Sequence, residues 1–148
     1  MNKVGKPAEF SDLMVSQGAT KLRPEHGDPF LKPDRGVVFW SKFDNGGQLL
    51  VGVKDTGGCK LASQEASRSD VEKMIIGEYA SVVRARLLGT ETDGQLIQTT
   101  YAVVFRGTRM FVQVFGPKKE NAGASVEVWP AEPPPPMIKP GAKISWPE

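Results

Sequence analysis

The sequence predicts an α+β fold: an antiparallel β-sheet made from two hairpins, in the order β-β-α-β-β-β, packed on one main amphipathic helix. Three observations predict it. Two β-branched and aromatic runs flank a glycine-rich turn between residues 37 and 54, and a second such pair lies between residues 96 and 115. Between them, apolar residues recur at spacings of three and four behind a helix-start signal, which is the pattern of a helix with one buried face. At 148 residues, with 39% hydrophobic and 24% charged residues, the chain holds enough apolar material for one core. The reading therefore divides it into an N-terminal arm over 1–34, one domain over 35–129 and a Pro-rich tail over 130–148.

In the arm, Phe10 to Val15 has the spacing of a single helical turn, and Leu22 to Pro29 is broken by two prolines and a glycine, too much punctuation for regular structure. The first hairpin is Val37 to Phe43 answered by Gln48 to Lys54 across Asp44-Asn45-Gly46-Gly47, residues that accept the positive φ a tight turn demands. Asp55 to Gly58 ends the second strand, and Lys60 to Arg68 reads as a polar connection. Ser69 followed by Glu72 is a capping box, each side chain satisfying a backbone N–H that the first helical turn leaves unpaired. Val71, Met74, Ile75, Tyr79, Val82 and Val83 then supply the apolar face. Residues 82–88 fit two patterns, the last turns of that helix closed by Gly89 or a strand alternating arginine with apolar residues; the helix is the reading adopted. Arg84 and Arg86 would then sit favourably against the C-terminal end of the helix dipole.

The second hairpin runs from Leu96 to Phe105, turns at Arg106-Gly107-Thr108 and returns through Met110 to Phe115. Ser125 to Trp129 reads as a short edge strand. The tail, with Pro133 to Pro136 and Pro140, lacks the backbone donors for a helix or a central strand and reads as polyproline II or disordered chain.

Chemistry is sparse. Neither the dinucleotide fingerprint nor the P-loop pattern occurs, and one cysteine, Cys59, with one histidine, His26, cannot supply a Cys/His zinc set. A Cys59–His26 nucleophile pair has nothing evident to orient it, and the aspartates stand mainly in turns, where backbone reasons explain them. The reading is a binding protein rather than an enzyme, with no cofactor and no metal. A single cysteine, no secretory leader pattern and no apolar run of membrane-spanning length point to the cytoplasm.

What remains is cations mixed with aromatics along the strands. Arg35, Trp40, Lys42, Arg106, Arg109, Lys118 and Lys119 are the candidate nucleic-acid contacts, because single-strand binders stack bases on aromatic rings while Lys and Arg follow the phosphates. The net charge of +2 permits such a ligand without demanding it. The alternative is an adaptor or inhibitor that meets a protein partner through a sheet edge and its arms, with Pro134, Pro135 and Trp146 as contacts.

Overall fold

The computed structural model describes residues 15–16, 18–42, 47–73, 83–119, 123–132, 134–139 and 141–147. Strands β1 (Thr20–Lys21), β2 (Gly36–Lys42), β3 (Gln48–Lys54), β4 (Cys59–Ser63), β5 (Val83–Asp93), β6 (Leu96–Phe105), β7 (Thr108–Pro117) and β8 (Ala124–Pro130) form one antiparallel sheet in the order β1-β2-β3-β4-β8-β7-β6-β5. Among the described residues two short helices accompany it, α1 (Pro24–Leu31) and α2 (Arg68–Lys73). Both hairpins form, β2–β3 and β6–β7, with Trp40 facing Leu50 and Tyr101 facing Val112. The β6–β7 turn holds Arg106 at φ 49° and Gly107 at φ 77°, the two successive positive angles of a two-residue turn whose twist suits the flanking strands.

The expected α+β arrangement on one main amphipathic helix does not form. Among the described residues the molecule is mostly sheet, and two segments account for the change. Val83 to Leu88 is not helix: it opens β5 and pairs with β6 from Val83↔Phe105 onward. In that strand Val83 and Ala85 are half-buried while Arg84 and Arg86 are exposed, so the two-residue alternation prevailed over helical spacing. The stretch Lys60 to Ser63 is not a polar connection but the body of β4, seated between β3 and β8. That placement also puts β8 inside the sheet rather than at its edge. The rest of the expected helix, 74–82, and residues 10–14 of the single turn expected over Phe10 to Val15 lie outside the described residues.

Helix α2 starts two residues earlier than its capping signal implied. The Ser67 hydroxyl accepts from the Asp70 N–H at 3.1 Å, so Ser67 is the N-cap, and Glu72 turns instead to Arg68, 2.6 Å away. Helix α1 lies within the expected arm. Its prolines are less disruptive than their number suggests, because Pro24 occupies the first turn, where a missing N–H costs nothing.

The sheet buries side chains on both faces. On one face Cys59, Tyr101, Val103, Met110, Val112, Val114 and Val128 form the core, with Val71 of α2 packed against it. On that face Glu72 and Arg68 of α2 meet Tyr101, whose hydroxyl is pushed up to about 12 by burial and by the Glu72 carboxylate it donates to. On the other face α1 covers β2 and β3. It comes close because its Gly27 lies over Val38 and Gly52 of β3 lies under Leu31 and Phe30; a Cβ on Gly52 would stand 3.1 Å from both Leu31 Cγ and Phe30 Cε2.

The tail is ordered on this second face, over the other half of the sheet. Pro135 is fully buried. Thr100 Oγ1 donates to Met137 Sδ at 2.7 Å, Arg86 Nη1 donates to Ser145 Oγ at 2.9 Å, and the Trp146 ring lies 5.0 Å from that of Phe111.

Burial pushes the Cys59 thiol up to about 11. A neutral, enclosed thiol is a poor nucleophile, so alkylation of the native protein is expected to follow global unfolding rather than direct attack. Below the ordinary value of 9.0 both states are neutral and nothing is lost. Between about pH 9 and 11 only the unfolded thiol ionises, so stability falls as pH rises. Cys59→Ala should lack that increment of decline in urea titrations across this window.

Candidate binding groove

The second face is not fully covered. Between α1 and the tail, at the end of the sheet where β2 meets β3, a groove of about 550 Å³ remains. Its floor is Leu50, Ala62, Ser125 and Phe115, and its walls are Phe30 and Trp40 on the α1 side with Leu96 and Pro117 opposite. The registers make this floor: Leu50↔Ala62, Ala62↔Ser125 and Ser125↔Phe115 place one side chain from each of four neighbouring strands on the same face.

Trp40 is half-buried, and its indole N–H donates to Gln48 Oε1 at 3.0 Å, which fixes the ring as a wall. Lys60 Nζ donates to the Phe30 carbonyl at 3.1 Å and stands 4.9 Å from the Phe30 ring centroid, fixing the second aromatic of that wall. At the rim, Glu65 accepts from Ser63 Oγ at 3.0 Å and from the Gln48 N–H at 3.4 Å. These bonds, the Ser63 one foremost, hold its carboxyl below the usual range.

The sheet splits the seven candidate nucleic-acid contacts into two groups. Trp40 and Lys42 of β2 share the groove end with Lys118 and Lys119, which follow β7. Arg35, Arg106 and Arg109 stand at the opposite end, roughly 30 Å away along a ten-residue strand. Because β4 and β8 separate the two hairpins, the strands β2 and β7 are also roughly 19 Å apart across the sheet. One continuous patch over all seven residues is therefore not formed. Arg109 lies 5.5 Å from the Trp146 ring and Arg106 covers Phe105 at 5.3 Å. Of the candidate protein contacts, Pro135 and Trp146 are taken up by the protein's own sheet, with Pro134 half-buried beside them.

Sequence reasoning missed Phe30 as a groove residue, since the segment that carries it was read as an irregular arm. It also missed the buried charge cluster on the same face, at the end of β3 away from the groove. Lys54 is 1% exposed, and its ammonium lies 2.6 Å from Glu127 Oε1, 3.2 Å from Asp34 Oδ2 and 3.9 Å from the Trp129 ring centroid. Trp129 Nε1 in turn donates to Gln113 Oε1 at 3.0 Å, and Gln113 Nε2 to Thr100 Oγ1 at 3.3 Å. A polar chain thus crosses the face from β3 to the tail. It is a satisfied structural network, and no catalytic acid–base pair is needed to explain it.

His26 is exposed on α1, across the sheet from Cys59. Among the described residues no group of three or more His, Cys, Asp or Glu could hold a metal ion, and no helix is long and apolar enough to cross a membrane. No family model, characterised protein or solved structure matches the chain.

Proposed function

We propose that the groove binds a short stretch of single-stranded nucleic acid, and that the protein is a small accessory binding factor of a reducing, cytoplasmic setting rather than an enzyme. The observation that carries this reading is the meeting of Phe30, Trp40 and Phe115 in one groove at the end of the sheet where Lys42, Lys118 and Lys119 are exposed. Every base offers a face for stacking, and lysines beside the stack meet the phosphates, so the pairing suits single strands without strong sequence preference. Glu65 at the rim works against phosphate, which orients the backbone toward the lysine side of the groove.

Fluorescence anisotropy with a dye-labelled oligonucleotide at low and moderate salt tests the proposal. Trp40→Ala is expected to weaken binding by the ~1–3 kcal/mol that a base–aromatic stack contributes, with little change in salt dependence. Lys118→Ala together with Lys119→Ala should weaken binding and flatten the salt slope by roughly 0.7 for each phosphate that is no longer neutralised. Absence of binding by the parent protein at low salt would end the proposal.

A further inference from the structure

Edge strands expose a row of unpaired backbone groups, and proteins generally keep them short. One edge of this sheet obeys the rule: β1 has two residues. The other is β5, with eleven residues the longest described strand, and among the described residues no strand pairs with its outer side. Its charges are sorted by sign. Arg84 and Arg86 stand in the first half, Glu91 and Asp93 in the second, and all four are exposed.

A bulge at Leu88 decides which face these charges occupy. The register passes from Leu87↔Tyr101 to Gly89↔Thr100, leaving Leu88 as the extra residue. Arg84 and Arg86 lie opposite Val104 and Ala102, while Glu91 and Asp93 lie opposite Gln98 and Leu96. Because Val104, Ala102, Gln98 and Leu96 alternate along one face of β6, all four charged residues project on that same face. Without the extra residue, the acids and the arginines would be on opposite faces.

We infer that β5 is a self-pairing edge, on which a second copy of this chain adds antiparallel about a two-fold axis at Gly89. Counting outward from Gly89 opposite its copy, with Leu88 looped out, Thr90 meets Leu87, Glu91 meets Arg86, Thr92 meets Ala85 and Asp93 meets Arg84. A two-fold axis repeats every contact, so each acid faces an arginine on the same sheet face and no like charges oppose one another. Opposite charges directly across a strand pair are favourable and like charges are not, and an interface that uses one patch twice requires this self-complementarity. Gly89 has no heavy atom within 4 Å of where its Cβ would be, so a side chain placed there meets open space on the sheet face. Leu87, 58% exposed, gains cover from the partner's Thr90. Arg86 can keep its bond to Ser145, since a guanidinium carries further donors. The inference is independent of the groove reading.

Sedimentation velocity of the full chain is expected to give a species of two chains rather than one of 16.1 kDa, with the dimer fraction falling as salt rises. The variant Arg84→Glu/Arg86→Glu carries only acids on the strand, and Glu91→Arg/Asp93→Arg only bases; each alone should sediment as a monomer, and the two mixed should form a heterodimer. Dimers of either variant alone, or no complex on mixing, would overturn the pairing. Gly89→Cys tests the axis by a separate route: it should form a disulfide between chains under mild oxidation, whereas Thr92→Cys, which faces Ala85, should not. A parent chain that stays monomeric and a Gly89→Cys variant that does not cross-link would equally sink the inference.

Discussion

Lys54→Met is expected to destabilise the protein by about 3–5 kcal/mol, the range for removing one partner of a buried ionic cluster, read from urea unfolding with the slope unchanged. The ammonium is 1% exposed and is the shared partner of Glu127 and Asp34. Without it, two carboxylates that converged on one cation face each other beneath the Trp129 ring, and Glu127, only 15% exposed, cannot turn fully to water. Methionine restores most of the volume but none of the charge. The loss should therefore be chiefly electrostatic, and Lys54→Met/Glu127→Met should recover a large part of it, because burying no charge is often as good as burying a matched pair. A single variant within about 0.5 kcal/mol of the parent, the usual scatter of neutral surface changes, would show that the cluster is solvated and loosely held. The position matters beyond stability. Asp34 follows α1, and its tie to Lys54 helps hold the helix, which carries the Phe30 wall of the groove, on the sheet that carries the Trp40 wall.

How much of this was legible in the sequence depends on the range over which each element is decided. The two hairpins were readable because turn residues and alternation are local; the Asn45-Gly46 and Arg106-Gly107 neighbourhoods announce themselves without reference to the rest of the chain. Residues 82–88 carried both a helical and a two-residue spacing, and pairing with β6, the next strand along, reached through a tight turn at Gly94-Gln95, settled the choice for the strand over residues 83–88. Strand β4 is short, half polar and buried between two neighbours, so its identity comes from its neighbours rather than from its own composition. Helix α1 was hidden by its prolines, although one stands where a helix tolerates it.

The site was legible by residue type and not by place. Trp40, Lys42, Lys118 and Lys119 were marked by their chemistry; their place at one end of the strands separates them from Arg35, Arg106 and Arg109 at the other, and the sheet order further sets the residues of β2 apart from those of β7. Strand order depends on β4 and β8 entering between the hairpins, and no local signal encodes that. Lys54 shows the converse. At the end of an apolar strand beside a turn, it reads as solvent-facing, and only the arrival of Glu127 and Asp34 from distant segments makes it a buried cation.

The tail supplies the sharpest separation between composition and structure, and Phe111→Ala tests it. Phe111 is 1% exposed and is capped by Trp146, so its truncation removes a large core side chain and also the platform on which the tail ends. The expected loss is about 3–5 kcal/mol, at the upper end if the cavity does not collapse. Trp146→Ala should cost less, since Trp146 is only partly buried and Phe111 would then meet water rather than leave a closed void. The two effects should not add in the double variant, because each includes the same ring contact. Proteolysis gives the structural readout: after either substitution, cleavage within 134–147 should precede cleavage of the sheet, whereas in the parent the two should be linked by the buried Pro135 and by Met137 on Thr100. Were Phe111→Ala to leave the tail as resistant as before, the Pro135 and Met137 contacts alone would be holding it, and the aromatic pair would be an ornament of the packing rather than its anchor.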